Sequence, residues 1–292
     1  MLEMLSSGTT FVATDNEKII KDDTTYILGF PFDGTTSFRS GTRFGPRAIR
    51  EASLQIEDYS PYLDLDLADY SITDLGDLPL FPSRRDVMEQ NFLSLWQDIN
   101  IKEKNIKILT LGGEHSISIT PISLYLKHFP DLVILHLDAH TDLRDGYLHD
   151  DFSHASVMRR VLDILPSDAR LIQQGIRSGT KEEFNLMKEK DTLIKSLDNL
   201  LFFLQLVPDD VPIYLTLDLD YFDPSYCPAV GTPETGGENF YSLIKILKSL
   251  KDKNLVGADV VELSPMIDST QNSNSFAALV VREILLALSH KK

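Results

Sequence analysis

The sequence predicts an α/β protein organised around a mainly parallel sheet. Three features carry that expectation. Short runs rich in Val, Ile and Leu recur, segments of helical period separate them, and acidic and imidazole side chains gather where the runs end.

The apolar runs lie at 26–28, 106–111, 132–137, 213–219 and 255–263. Near-continuous apolar stretches of this length suit strands buried on both faces. Helical periodicity appears at 86–101, 117–128, 241–250 and 276–288. Strands alternating with helices of this size indicate βαβ units. GTRFGPRAIREAS reads as a loop entering a helix, with Pro46 in its first turn and Gly45 permitting the tight entry. Its Arg43, Arg47 and Arg50 are expected in salt bridges at a domain or subunit surface. DLGDLP (74–79) reads as a strand-to-loop transition. No repeat, low-complexity tract or linker divides the chain, so 24–292 is expected to be one domain behind an irregular, polar arm at 1–23.

Composition narrows the partners. Of 292 residues 42% are apolar, enough for a substantial core, and the formal net charge is −16. That charge disfavours nucleic acid and anionic membranes and suits cationic ligands and metal ions. The single cysteine, Cys227, excludes an intramolecular disulfide or a cysteine metal cluster, and is expected to be packing. No signal-peptide pattern opens the sequence and no run approaches the roughly 20 apolar residues of a membrane span. A cytoplasmic protein is expected.

Ligands of parallel sheets bind beyond the carboxyl ends of the strands. Acid and imidazole groups follow three of the runs: His115 in LGGEHS, Asp138, His140 and Asp142 in HLDAHTD, and Asp218 and Asp220 in TLDLDYF. Extended backbone would set the first triplet on one side. Four unpaired carboxylates at one point would repel and raise one another's pKa, and two divalent cations would neutralise them. Oxygen-rich ligands with few imidazoles and no thiolate suit Mn²⁺ better than structural Zn²⁺. Such a pair, about 3.5–4 Å apart, can hold and ionise a bridging water. His136 is expected to be a packing histidine, and His128 and His290 solvated on helices.

GGEHS, DAHTD, TLDLDYFDPSYCPAVGTPETGG and DVVELSP together resemble the manganese ureohydrolases, the arginase and agmatinase family, over about residues 29–282. The resemblance implies a three-layer α/β/α sandwich with a mainly parallel central sheet, two Mn²⁺ per chain, and hydrolysis of a guanidino group to urea and an amine. It further implies that His115 and Asp142 bind one manganese and His140 and Asp220 the other, with Asp138 and Asp218 bridging. His154, in DDFSHASV, would shuttle protons (His149 being the alternative), Asp142 would take the proton of the attacking water, and Glu262 would face the guanidinium. A trimeric or hexameric homo-oligomer is implied too.

Within the family the stretches GFPFDGTTSFRSGTRFGPRAIREAS, IRSGTKEEF and GTPETGG look most like agmatinases. Agmatine ends in an ammonium rather than an amino acid, so surplus acids favour it, and Asp145, Asp150, Asp151 and Glu234 are candidates for contacting it. Arg144 is expected to pair with a nearby aspartate, or else to serve a substrate carboxylate. The alternatives are aminopropylagmatine, guanidinobutyrate, formiminoglutamate or arginine as substrate. More remote are a zinc deacetylase, which would need tandem histidines that are absent, and a non-catalytic scaffold, which would have lost a ligand.

Overall fold

The structure, a computed structural model, describes Leu2, Leu5 and residues 8–290. Eight strands form one sheet: β1 (Thr25–Phe30), β2 (Ile72–Asp77), β3 (Lys107–Gly112), β4 (Val133–Leu137), β5 (Arg170–Gln174), β6 (Leu193–Ile194), β7 (Pro212–Asp218) and β8 (Asn254–Val261). Their order is β2-β1-β3-β8-β7-β4-β5-β6, and every pairing is parallel. The five expected strands are present. β5 and β6 went unread, and DLGDLP holds the end of β2.

Among the described residues eight α-helices cover the sheet: α1 (Gly45–Ser53), α2 (Arg85–Trp96), α3 (Ile119–His128), α4 (Val157–Ile164), α5 (Lys181–Lys190), α6 (Leu197–Leu206), α7 (Phe240–Leu250) and α8 (Asn272–Ser289). Side chains alternate across each strand, so the sheet has two apolar faces and two cores. Ile27, Leu135, Leu215 and Val260 pack with α1, α6, α7 and α8. Tyr26, Leu28, Ile134 and Tyr214 pack with α2, α3, α4 and α5. This is the three-layer α/β/α sandwich. Burying both faces explains why the strands read as apolar runs rather than alternating ones.

Two expectations change here. Arg50 is not at the surface: it is 2% exposed, and its Nε and Nη2 reach Asp74 at 2.7 and 2.9 Å while Nη1 holds Asp77. Burial opposes its charge, but the two carboxylates outweigh that and raise its pKa. Arg43 does pair with Asp33, and exposed Arg47 with Glu51. The described part of the arm lies against the body, with Phe11 buried in the first core and its N–H donating to Asp74 Oδ2 at 2.9 Å. The remainder of the arm expectation, at residues 1, 3, 4, 6 and 7, lies outside the described residues. His290 follows the end of α8 half-buried, with Nδ1 3.0 Å from Tyr70 Oη, rather than solvated on the helix.

Candidate metal centre

Four adjacent strands, β3, β8, β7 and β4, lead to the site: Asp218 is the last residue of β7, Glu262 and Asp138 directly follow β8 and β4, and His115 comes three residues after β3. After β3 the Gly112-Gly113 turn brings the backbone so close to the loop after β1 that a Cβ on Gly113 would sit 1.9 Å from the Phe32 carbonyl oxygen. Only glycine fits, and the next turn delivers His115 to the sheet edge. Glu262 leaves β8 in the left-handed region (φ 71°), its N–H donating to Gly113 O at 2.8 Å. Its Oε1 in turn accepts from the His115 N–H at 2.8 Å.

The D-x-H-x-D segment does not stay extended. β4 ends at Leu137 and Asp142 adopts a left-handed φ of 53°, a conformation that costs a non-glycine residue about 1–3 kcal/mol and gathers at functional sites. The turn sends the three side chains to two places. His115 Nδ1 lies 2.9 Å from Asp138 Oδ2, 3.0 Å from Asp142 Oδ2 and 3.4 Å from Asp218 Oδ2. His140 Nδ1 lies 2.8 Å from Asp220 Oδ2 and 3.6 Å from Asp138 Oδ1. Asp138 is common to both groups. Backbone donors aim the carboxylates: His140 N–H to Asp138 Oδ1 (2.6 Å), Ala139 N–H to Asp220 Oδ1 (3.0 Å) and Asp220 N–H to Asp218 Oδ1 (2.7 Å).

The hydrogen-bond network indicates what belongs at this point. Thr216 Oγ1 donates to Asp259 Oδ1 at 2.7 Å, so toward His115 Nε2, 3.0 Å away, it presents a lone pair. His115 therefore carries its proton on Nε2 and turns a bare Nδ1 toward three carboxylate oxygens. Buried Nδ1 makes no hydrogen bond of acceptable geometry despite those short distances. A lone pair and several carboxylate oxygens converging on one point fit a cation.

The carboxylates call for positive charge at this point. Burial works against charge on His115, yet Asp138, Asp142 and Asp218 hold its pKa well above 6.5, so its Nδ1 is bare for ligation only where a cation takes the place of a proton. His140, also opposed by burial, is pushed up to about 12 by Asp220 and Asp138. Asp220 rises to about 6 through burial and the neighbouring Asp138. A divalent ion would relieve these strains together.

His136 is more than packing. Gln173 Oε1 accepts from Thr192, so its amide nitrogen donates to Thr141 O (2.8 Å) and to His136 Nδ1 (3.0 Å). That leaves a proton on His136 Nε2, which donates to Asp138 Oδ2 at 2.8 Å. His136 thus orients a carboxylate instead of offering a lone pair. It carries the same residue type as the other site histidines, and only its partners separate it from them.

Above the cluster opens a cavity of about 280 Å³, lined in part by Ser37, Arg144, Tyr147, His154, Glu183 and Glu262. Burial, then the charge of Glu114, hold the Glu262 carboxyl well above its usual range. Glu114, which sequence reasoning passed over, is fully buried and accepts from Thr35 N (2.8 Å), Thr35 Oγ1 (2.6 Å), Thr36 Oγ1 (3.2 Å) and Ser116 Oγ (2.6 Å). Glu234 is not a lining residue of this cavity, though its Oε1 lies 3.7 Å from Nε2 of His140, which is one. Asp145 does not line this cavity: exposed, it pairs with Arg160 and more distantly with Arg159. Arg144 is not paired with an aspartate; its guanidinium stacks on Tyr147, 4.6 Å from the ring centroid, inside the cavity. His149 is exposed outside it.

A parallel α/β/α sandwich with paired carboxylate–imidazole groups at its central strand ends defines a protein built to hold divalent cations at the sheet edge. The chain belongs to the arginase family, whose profile matches residues 23–287. It is 37% identical over 284 residues to an agmatinase of Bacillus subtilis (strain 168), covering 96% of each chain. It is also 37% identical over 245 residues to the N(1)-aminopropylagmatine ureohydrolase of Thermococcus kodakarensis, covering 82% of each. The agmatine ureohydrolase of Thermoplasma volcanium superposes with a TM-score of 0.81 at 27% identity, over 98% of this chain and 96% of that one. Among the described residues no helix is long and apolar enough to cross a membrane.

Proposed function

We propose that this chain hydrolyses agmatine to putrescine and urea, using two Mn²⁺ held by His115, Asp138, His140, Asp142, Asp218 and Asp220. The observation that carries the reading is the buried His115 Nδ1, without a hydrogen bond of acceptable geometry, facing three carboxylate oxygens in a cavity that Glu262 and His154 also line. The names of the similar proteins supply the substrate.

Bound there, divalent cations supply a water acidic enough to attack near neutral pH. The chain's own groups do the rest. Glu262 pairs with the planar guanidinium, and the cation offsets the buried acid's reluctance to ionise. With Oε1 already tied to the His115 N–H, Glu262 has little freedom, so it fixes the depth at which the guanidinium carbon sits. Asp142 accepts the proton of the attacking water as the new C–O bond forms. His154, 3.3 Å from Ser37 Oγ at the mouth, protonates the departing amine as the C–N bond breaks. Glu234, beside His140, adds negative charge that favours the ammonium end of the substrate.

Arg144 supports a second reading. Stacked on Tyr147 and facing the cavity, it could hold a substrate carboxylate such as that of guanidinobutyrate. One experiment separates the two: urea release by the Mn²⁺-loaded chain from agmatine, aminopropylagmatine, arginine and guanidinobutyrate, with formamide followed for formiminoglutamate. Agmatine is expected to give the highest kcat/KM, and Asp138→Ala to abolish turnover. A lead for guanidinobutyrate that Arg144→Ala removes would replace the first reading with the second. The same proposal places the enzyme in the cytoplasm as a homo-oligomer, with 24–292 as one catalytic domain.

A further inference from the structure

The histidine proposed to protonate the leaving amine has two ring nitrogens, and only one can serve. Its surroundings choose between them. Thr35 Oγ1 lies 2.6 Å from Glu114 Oε1, 3.0 Å from the His154 backbone nitrogen and 3.2 Å from His154 Nδ1. A hydroxyl has one proton and two lone pairs. Glu114, fully buried and fixed by three further donors, can only accept, and charge-assisted hydrogen bonds are the strong ones. The Thr35 proton is therefore committed to Glu114. What Thr35 offers His154 is lone pairs, one to the backbone N–H and one to the ring.

We propose that Thr35, held by buried Glu114, is a positioning residue that fixes His154 as the Nδ1–H tautomer and leaves Nε2 to exchange protons with the cavity. Nε2 faces Ser37 Oγ at 3.3 Å, and both residues line the cavity. Tyr147 closes the ring's flank, edge-on at 5.9 Å between centroids and 88° between planes. Without the hydroxyl the ring loses both its orientation and its tautomer. Neutral histidine in water does not favour Nδ1–H, so this choice has to be imposed by a neighbour. The inference deepens the proposed function and rests on it only for the role of the transferred proton.

The test reads the tautomer directly. In the ¹⁵N-histidine-labelled full chain loaded with diamagnetic Zn²⁺, the ring nitrogen shifts of His154, assigned with His154→Asn, are recorded above its titration. Wild type is expected to show a protonated Nδ1 and a bare Nε2. Thr35→Val should move the ring toward Nε2–H, and Thr35→Ser should restore the wild-type pattern. With Mn²⁺ and agmatine, Thr35→Val should lower kcat by about 100-fold, the lower end of what a positioned proton-transfer group contributes, with KM within about twofold. Thr35→Ser should recover most of that loss. An Nε2–H tautomer in wild type overturns the proposal, even if the valine variant does not fold. So does a valine variant with the wild-type tautomer, or a serine variant that behaves like valine. If no guanidine is turned over while the shifts move as expected, the substrate reading fails and the assignment to Thr35 stands.

Discussion

Replacing Thr216 with valine removes one hydroxyl and keeps the shape, and its consequence can be worked through from the structure. His115, Thr216 and Asp259 are all at most 1% exposed. In the native arrangement His115 Nε2–H donates to Thr216 Oγ1 at 3.0 Å, and Thr216 donates to Asp259 at 2.7 Å. Asp259 keeps Tyr214 Oη at 2.8 Å and Ser118 Oγ at 3.0 Å after the change. His115 keeps nothing on that side. A buried donor left unsatisfied costs about 1–3 kcal/mol. The ring can relieve this only by rotating or by moving its proton to Nδ1, the atom that must be bare to ligate a metal. Changes to such orienting partners typically weaken metal affinity by about 10–100-fold, about 1.4–2.8 kcal/mol at 1.4 per factor of ten. Mn²⁺ titration of the stripped protein by calorimetry should resolve two sites, with the loss at the one His115 serves and little change at the His140 site. Thr216→Ser should bind as wild type does. Equal weakening at both sites, or none at either, would refute the argument that Thr216 sets the state of His115.

Two further outcomes concern the body of the protein. Arg50→Met leaves Asp74 and Asp77 charged and without the guanidinium between them, which should lower stability by about 3–5 kcal/mol; a shift in urea midpoint at unchanged m-value would report it, and a change below about 1 kcal/mol would show that the pair is not buried as described. Burial, aided by Asp218 and Asp220, pushes the Cys227 thiol up to about 12 from an ordinary 9.0. A group whose folded pKa is raised contributes stability below the unfolded pKa and loses it as pH rises toward the folded one. Between pH 9 and 12, wild type should therefore lose stability relative to Cys227→Ala by about 1.4 kcal/mol per pH unit, and the native thiol should react with a disulfide reagent at pH 8 only on unfolding.

Much of this was legible in the residues. The apolar runs gave the five strands that carry or flank the site, because a strand buried on both faces has to be apolar along its length. The ligand types stood out because ionisable groups directly after such runs need a counter-charge. β5, β6 and the helices α4, α5 and α6 were less readable: α5, KEEFNLMKEK, buries only Glu183 and Met187, so its apolar stripe is too thin to show a period. Arg50 looked like a surface cation because one sequence cannot show that Asp74 and Asp77, 24 and 27 residues on, close around it.

What the sequence determined by itself was the chemistry present: a parallel sheet, a set of carboxylates and imidazoles at strand ends, and no thiolate to compete with them. What the tertiary structure decided was the state and direction of each group. Asp145 turns out to the arginines of α4 while its neighbour Arg144 turns into the cavity. His115, His136 and His154 are one residue type in three roles, each set by a partner distant in sequence: Thr216 accepts from the first at Nε2 and leaves its Nδ1 to the carboxylates, Gln173 donates to Nδ1 of the second and leaves its Nε2 proton to Asp138, and Thr35 offers the third a lone pair. The physical reason is that a ring nitrogen's proton follows the hydrogen bond its partner can make, and those partners meet only when the strands pair.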